Sequence, residues 1–210
     1  MVGKVYPAVR SPSHGLTPRR GRPGHSLESL LAVAVHAFIE RGYEATSMDE
    51  LASRLGVTKS AIYHHVPRKD ELLRLALDRA LDGLFAVVAE PAAGSGPAID
   101  RLEHVVRGSV RVLTDELPFV TLLLRVRGNS TVELAALRRR REFDRVVTDL
   151  VRAAAAEGSV RDDVPAGVVA RLLFGTVNSL TEWYRPDGRL SADAVADAVL
   201  ATAFSGLRTT

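Results

Sequence analysis

The stretch of sequence that decides the fold spans residues 47–65 and reads SMDELASRLGVTKSAIYHH. Ser47 and Thr58 are good helix N-caps, because a side-chain hydroxyl accepts a hydrogen bond from a backbone N–H of the first turn. Gly56 separates the two segments, and the small Ala52 stands where a second helix would cross closely. This pattern predicts two short helices that meet at a steep angle over a tight turn. A helical hairpin that only packs would use a similar turn.

The second of these helices presents a polar and cationic face. Short side chains stand at its start, where a helix that enters the major groove of DNA contacts base edges. Tyr63, His64 and His65 can donate hydrogen bonds to phosphate oxygens. Lys69 opens the next helix, and a lysine beside the backbone N–H groups of a helix N-terminus makes a phosphate site. Two of the three lysines in the chain, Lys59 and Lys69, therefore flank this helix.

Helical patterns cover the chain on both sides of this stretch. Ser26 can cap a helix whose apolar residues, from Leu27 to Ile39, recur three and four positions apart. Gly42 suits the C-terminal turn of that helix. The segment Pro91–Pro97 predicts a break and a hinge between two parts. The predicted fold is all-α, with further helices over residues 47–55, 58–65, 68–89, 97–116, 118–127, 131–157, 165–185 and 191–207.

Composition narrows the class of protein. The chain has 210 residues, of which 46% are apolar and 25% charged, a mix that can bury a core. It contains no cysteine, which excludes disulfides and thiolate chemistry. No apolar run approaches the length that crosses a membrane, and the N-terminus lacks the apolar core of a secretory leader. We therefore expect a cytoplasmic protein without a membrane partner.

Positive charge is concentrated at the N-terminus. Residues 1–25 carry five basic side chains and no acidic one, whereas the rest of the chain carries 23 basic and 25 acidic residues. The segment is rich in Pro, Gly and Ser, which predicts a flexible arm. Such an arm either lies along an anionic partner such as DNA or has no role.

Residues 42–73 resemble the DNA-binding domain of TetR-family transcriptional regulators. The resemblance implies an N-terminal three-helix helix-turn-helix DNA-binding domain over residues 26–72, and a larger C-terminal helical ligand-binding and dimerisation domain over residues 73–210. It implies a ligand-responsive regulator, expected to be a repressor, that binds an operator in double-stranded DNA. Ala61 departs from the family pattern, where a hydroxyl or glycine is frequent. The resemblance assigns Lys59, Ser60 and Ala61 to bases, and Ser47, Thr58, Tyr63, His65 and Lys69 to phosphates, with His64 beside them.

The last two predicted helices have apolar faces that suit a homodimer. Over residues 165–185 the apolar residues are interrupted by Gly175 and Ser179, which permit close approach, and residues 191–207 mix small and large residues. A twofold dimer would double the contacts that one short helix makes with DNA. The same faces would also suit the core of a monomer. The residues of the expected seam are Val168, Val169, Leu172, Leu173, Val177, Leu180, Val195, Ala198, Val199, Thr202, Ala203 and Phe204.

A second basic cluster occupies the C-terminal part, at Arg125, Arg127, Arg138–Arg141 and Arg145. It is either a solvated helix face or the site of an anionic headgroup, since guanidinium groups bind phosphate in a fork geometry. Residues 175–191 resemble family members that respond to acyl-coenzyme A thioesters, which implies a small-molecule effector of this kind. The expected cavity residues are Leu102, Val106, Phe119, Leu123, Arg125, Arg127, Val126, Phe143, Asn178 and Trp183. Each could instead belong to the core of the bundle without contacting a ligand, and Trp183 could instead pack the end of its helix.

Other classes of function fit the sequence less well. No phosphate loop, metal-ligand spacing or nucleophile–base motif is present, so we expect no enzyme, no cofactor and no metal; adjacent His64 and His65 point about 100° apart on a helix and chelate poorly. An architectural DNA-binding protein would spread positive charge over its surface, whereas residues 27–210 are net acidic. A drug-sensing repressor of an efflux pump is the alternative regulator, but aromatic residues are only 5% of the chain.

Overall fold

The computed structural model describes residues 26–208, and this part of the chain is built from helices. Its only extended pairing is an isolated bridge between Val160 and Arg208. The all-α prediction is confirmed, and the predicted arm at residues 1–25 lies outside the described residues. The helices of the described part are α1 (Leu27–Arg41), α2 (Met48–Leu55), α3 (Lys59–Tyr63), α4 (Lys69–Ala89), α5 (Pro91–Gly94), α6 (Ala98–Asp115), α7 (Leu117–Arg125), α8 (Thr131–Ala156), α9 (Ala166–Trp183) and α10 (Ala192–Ser205).

Helices α1 to α3 enclose a small apolar core at the N-terminal end. The predicted cap at Ser26 is present, since its hydroxyl accepts a hydrogen bond from the backbone N–H of Ser29 at 3.2 Å. Leu51 of α2 and Ile62 of α3 are buried in this core, where α2 packs on α1 and α3 packs on α2. Helix α1 also packs against α4, so the first turns of α4 close this core.

Helix α4 joins the small core to a larger bundle. It packs against α1 on one side and against α6, α7 and α8 on the other. Its buried residues, from Leu72 to Leu81, recur at helical spacing and belong to an apolar core that is continuous between the two parts. The domain boundary expected between residues 72 and 73 falls inside this continuous helix, so any displacement of α4 reaches the N-terminal helices directly.

The larger bundle is organised around α6 and α8. Helix α9 packs on α8 and α6, and α10 packs mainly on α6. The loop before α8 is fixed by Glu133, whose buried carboxylate accepts hydrogen bonds from the backbone N–H groups of Arg127, Gly128 and Asn129. These bonds tie the loop between α7 and α8 to the first turn of α8, and α8 carries the arginines discussed below.

Two local predictions were right in part. The segment Pro91–Pro97 breaks the helical pattern as predicted, since α4 ends at Ala89 and α6 begins at Ala98. Between them Pro91 starts the short helix α5, which packs against both α4 and α6, and a hinge there stays a prediction. The second helix of the 47–65 stretch was expected to reach His65, but α3 ends at Tyr63. Proline disfavours helical backbone at the residue before it, so the helix cannot continue through Val66. The C-cap His64, with φ −68° and ψ −25°, still has helical backbone.

The residues of the expected dimer seam are partly buried inside the chain and partly exposed. Most of its large residues, including Leu173, Val177 and Phe204, are buried in the bundle of their own chain. Val168 and Leu172 are exposed instead, with 66% of Leu172 accessible. The seam prediction was therefore too wide, because periodicity marks an apolar face without showing which part of it the chain itself covers.

Candidate DNA-binding surface and ligand cavity

The predicted helix-turn-helix geometry is present at α2 and α3. The Ser47 hydroxyl accepts a hydrogen bond from the Glu50 backbone N–H at 3.1 Å, and the Thr58 hydroxyl accepts one from Ala61 at 3.3 Å. Gly56 between them is left-handed, with φ +66° and ψ +35°. Both hydroxyl oxygens act as acceptors in these caps, so their O–H hydrogens stay available for a phosphate oxygen.

Helix α3 turns one side into the core and the other outward. Ile62 is its buried residue, whereas 45% of Tyr63 is accessible. Ala61 is half-buried beside the turn. The helix is thus held by one apolar side chain and leaves a polar ridge exposed, made of Lys59, Ser60, Tyr63 and the following His64 and His65.

Lys59 is exposed and paired with an acid of the same motif. Its ammonium lies 2.8 Å from the Asp49 carboxylate, and both side chains are largely accessible. The hydrogen bond from Lys59 to Asp49 raises the pKa of the lysine above its ordinary value, so the ammonium stays charged. Exposed ion pairs contribute little stability, and this one can exchange for a contact with DNA.

Lys69, the first residue of α4, is partly exposed and lies beside the loop 43–46. Its ammonium donates hydrogen bonds to the backbone carbonyls of Tyr43 at 2.8 Å and Thr46 at 2.9 Å, with a longer one to Glu44 at 3.4 Å. It also lies 4.2 Å from the centre of the Tyr43 ring. The ammonium thus lies at the N-terminus of α4, where these carbonyls converge, and the expected contact with phosphate stays a prediction.

A cavity with arginines on its wall lies between α8 and α9. Its volume is about 560 Å³. On α9 the lining residues Arg171, Phe174, Gly175 and Asn178 stand three or four positions apart and so share one face. Arg140, Arg141 and Arg145 line it from α8. Four guanidinium groups, three from α8 and one from α9, make the cavity suited to an anionic ligand.

Beyond this cavity lies a narrow apolar chamber of about 30 Å³. Arg140, Asp144, Phe174 and Asn178 line both spaces, so the chamber adjoins the arginine-lined cavity. Aliphatic residues make most of its remaining wall: Leu84, Leu113, Val120, Leu123, Leu124 and Val177. The two spaces together offer a charged outer part and an apolar inner part.

Asp144 is the acid at the junction of the two spaces. Desolvation raises its pKa above the ordinary value, while the nearby Arg140 and Arg171 pull the pKa down. Its carboxylate opposes the positive potential of the arginines. The charge of this one group therefore adjusts how strongly the cavity attracts an anion.

Only some of the expected cavity residues line these two spaces. Leu123, Phe143 and Asn178 line the inner chamber, and Asn178 also lines the outer cavity. Of the second basic cluster, Arg140, Arg141 and Arg145 line the outer cavity. Arg171 and Phe174 were missed, although their spacing from Asn178 on one helix face was a readable signal. The expected residues that lie outside both spaces are Leu102, Val106, Phe119, Val126, Arg125, Arg127 and Trp183.

The misplaced residues have other structural roles. Arg125 donates a hydrogen bond to the Ile39 carbonyl of α1 at 2.9 Å, and both Arg125 and Arg127 face the α1–α2 loop. Phe119 packs under the guanidinium of Arg79. Trp183 is 51% accessible at the end of α9. Spacing along the sequence could not show that α7 faces the N-terminal helices.

A strip of accessible residues runs along α9 beside the cavity. Val168, Leu172, Gly175, Thr176, Ser179 and Trp183 are exposed and recur at helical spacing. We refer to these residues as the α9 strip. Gly175 belongs to the strip and also lines the cavity, so a chain docked on the strip would lie beside the cavity mouth.

Two further findings bear on the class of protein. Within residues 26–208 no three His, Cys, Asp or Glu side chains are grouped as a metal site. None of the helices described is both long and apolar enough to span a membrane. A capped helix-turn-helix with an exposed polar ridge, carried on a helical bundle that contains a cavity, defines a DNA-binding transcriptional regulator.

Family models identify the kind of regulator. The model of bacterial regulatory proteins of the tetR family matches residues 30–76, and the model of the tetracyclin repressor-like C-terminal domain matches residues 95–207. The chain belongs to the TetR family.

Individual relatives agree with this assignment. SCO3833, a TetR-family regulator from Streptomyces coelicolor A3, shares 54% identity with a TM-score of 0.81, covering 88% of this chain and 94% of its own. The transcriptional repressor KstR2 of Rhodococcus jostii is 29% identical over 89% of this chain and 93% of its own length. AibR, crystallised with isovaleryl coenzyme A and operator DNA, is 24% identical with a TM-score of 0.71 over 84% and 97% of the two chains, which shows a shared fold.

Proposed function

We propose that the chain is a ligand-responsive repressor that binds operator DNA as a homodimer and releases it when an acyl-coenzyme A thioester occupies the cavity between α8 and α9. The observation that carries the effector proposal is the pairing of an arginine-lined cavity with an apolar chamber. The phosphates of coenzyme A suit the guanidinium groups, and the apolar lining of the inner chamber suits an acyl group once the chamber has widened. The fold is compatible with such a ligand, given the AibR complex.

DNA binding is assigned to the exposed ridge of α3. Lys59, Ser60 and Ala61 stand at its start, in position for base edges, while Tyr63, His64 and His65 follow along the ridge. Ser47 and Thr58 supply hydroxyl groups for phosphates. One helix this short reads few base pairs, so a second copy docked on the α9 strip would supply the other half of the contacts.

The coupling between cavity and DNA runs through α4. Phe174 of α9 contacts Phe143 of α8 edge to face at 5.3 Å between ring centres, and Phe143 contacts Phe85 of α4 at 6.1 Å. The inner chamber is too small for an acyl group as it stands. An entering acyl group must therefore displace these rings, and α4 moves with them.

A lipophilic cation is the effector of the alternative, a drug-sensing repressor. Its charge would face Arg140, Arg141, Arg145 and Arg171, which repel it, with Asp144 as the single opposing acid on the cavity wall. The charge of the cavity therefore favours an anion.

Residues 26–72 are the proposed DNA-binding unit, and residues 73–210 are the proposed effector-binding unit.

The test begins with selection of a bound duplex from a random-sequence DNA library by the full-length chain. Coenzyme A, short and long acyl-coenzyme A thioesters, and lipophilic cations are then added to the complex. We expect release by thioesters, weaker release by coenzyme A alone, and loss of that response in Arg140→Gln but not in the control Arg138→Gln, whose side chain is outside the cavity. Release by lipophilic cations alone would establish the drug-sensing alternative.

A further inference from the structure

Three polar side chains stand at the passage between the outer cavity and the inner chamber. Arg140 and Asp144 of α8 and Asn178 of α9 line both spaces, as does the ring of Phe174. A residue that lines both spaces lies where they meet, so we refer to Arg140, Asp144 and Asn178 as the neck residues. The fourth polar residue of the chamber wall, Ser109, is satisfied within its own helix, because its hydroxyl donates to the Val105 carbonyl at 2.7 Å.

The neck residues hold no partner through their side chains. Within residues 26–208 none of the three makes a side-chain hydrogen bond or ion pair. The hydroxyls of Thr148 and Thr181 donate to the main-chain oxygens of Asp144 and Asn178, both at 2.8 Å, and leave the carboxylate and the amide unoccupied. The adjacent Arg139, by contrast, is paired twice with α4. Polar groups inside proteins are usually hydrogen-bonded, so three unpaired groups on one passage are available to a ligand.

The chemistry of the neck residues restricts the ligand group that suits them. A guanidinium only donates hydrogen bonds, an ionised carboxylate only accepts them, and an amide does both. A keto or carboxylate oxygen of a ligand accepts from Arg140 and Asn178 but sets a second acceptor against Asp144. An ammonium donates to Asp144 but is repelled by the four arginines of the cavity. A hydroxyl group both donates and accepts, and it carries no charge.

We propose that the neck selects acyl-coenzyme A thioesters that carry a hydroxyl group on the second or third carbon of the acyl chain. Asp144 accepts a hydrogen bond from this hydroxyl, while Arg140 and Asn178 donate to its oxygen and to the thioester carbonyl. The inference rests on the proposed function, which places the phosphates in the outer cavity and the end of the acyl chain in the inner chamber. In that orientation the thioester and the first carbons of the chain occupy the neck.

The first test compares thioesters that differ in one substituent. The set is butyryl-, 2-hydroxybutyryl-, 3-hydroxybutyryl- and acetoacetyl-coenzyme A, with the hydroxy compounds used as separate enantiomers. Calorimetric titration of the full-length wild-type chain, without DNA, measures each dissociation constant. We expect one hydroxy compound to bind at least about tenfold more tightly than butyryl- and acetoacetyl-coenzyme A, the factor that corresponds to one charge-assisted hydrogen bond. Its mirror image should bind less tightly, because the neck residues are fixed on two helices.

The second test removes the acceptor. Asp144→Leu replaces the carboxylate by an apolar side chain of similar size, and the ratio of the dissociation constants for butyryl- and the preferred hydroxybutyryl-coenzyme A should fall toward one. The ratio is the readout because loss of the carboxylate also ends its repulsion of the coenzyme A phosphates, which affects every thioester alike. Asp149→Leu, at an exposed carboxylate of the same helix, is the control and should keep the wild-type ratio.

Several outcomes would overturn the inference. One is equal binding of butyryl-coenzyme A and every hydroxy compound, and another is tightest binding by acetoacetyl- or succinyl-coenzyme A. An unchanged ratio in Asp144→Leu would assign the carboxylate to the amide N–H groups that all coenzyme A thioesters share, and would overturn it as well. If no coenzyme A thioester binds the wild-type chain, the proposed effector class itself fails.

Discussion

Arg139 on α8 lies 2.8 Å from the carboxylate of Asp78 on α4. A second nitrogen of the same guanidinium reaches Asp82, one turn further along α4, at 2.6 Å. Arg139 is next in sequence to Arg140, which lines both the outer cavity and the inner chamber. The helix that lines the cavity is thus tied by a forked ion pair to the helix that begins at Lys69.

Arg139→Gln should uncouple the effector from DNA. The variant retains the cavity arginines and the α3 ridge, so the separate affinities for effector and DNA should change little. In the wild-type chain an acyl-coenzyme A should lower DNA affinity by a factor in the usual range of allosteric couplings, roughly five to 150. In the variant this factor should fall toward one. Titration of DNA with and without the thioester measures this factor. Arg138→Gln, an exposed neighbour, should retain the wild-type factor; an unchanged factor in Arg139→Gln would show that this ion pair carries no coupling.

Lys59→Ala should lose affinity for the selected duplex more than for random DNA. A good side-chain contact to a base edge contributes about 1–3 kcal/mol of discrimination between sequences. Loss of a phosphate contact would instead weaken binding to all sequences alike. Asp49→Asn is the complementary variant, because it removes the intramolecular partner of Lys59 and should raise affinity for both DNAs. Parallel titrations on the two duplexes measure both effects, and an equal loss in Lys59→Ala would assign Lys59 to phosphate.

Gly56→Ala should destabilise the helix-turn-helix through backbone strain alone. The left-handed conformation costs a non-glycine residue about 1–2 kcal/mol, and no atom lies within 4 Å of the position that the new Cβ would take. Thermal unfolding should therefore show a lower midpoint. Gly94→Ala is the control, since Gly94 also has open space around it but lacks a positive φ. Equal unfolding midpoints for the two variants would show that the left-handed backbone at position 56 does not strain an alanine.

Asp144→Asn should strengthen binding of an anionic effector near neutral pH, because it removes the one carboxylate from the cavity wall. The folded state raises the pKa of Asp144 above 3.8, so the folded protein binds this proton more tightly than the unfolded chain does. Stability from this group therefore falls as the pH rises from 3.8 through the folded-state pKa.

The asparagine variant should lose that part of the pH dependence, which unfolding measured between acid and neutral pH will show. Calorimetric titration with a thioester measures the change in affinity. Asp149→Asn, on an exposed carboxylate of the same helix, is the control for both measurements. Weaker effector binding in Asp144→Asn would mean that the carboxylate accepts a hydrogen bond from the ligand.

Much of the DNA-binding half was predictable because its signals are local. Ser47 and Thr58 act on backbone groups three residues away, and Gly56 takes a conformation that its own lack of a side chain permits. Helical periodicity likewise predicted α4 and α8 to within a few residues. Such features depend on neighbours in the chain, so they can be read without knowledge of the packing.

The effector half was less predictable because its contacts join distant segments. Arg125 and Arg171 look alike as arginines on apolar helices, yet the first bonds to α1 and the second lines the cavity. Lys69 suited a phosphate site by position, and only the path of the loop 43–46 shows three carbonyls around its ammonium.

The sequence by itself determined an all-helical chain with a capped helix-turn-helix, because capping, turn conformation and amphipathic spacing operate over one or two turns. The tertiary structure alone decided which arginines share a cavity, which part of the α9 face stays exposed, and which carbonyls surround the ammonium of Lys69. Those outcomes depend on how helices far apart in sequence cross, since the crossing determines which side chains meet.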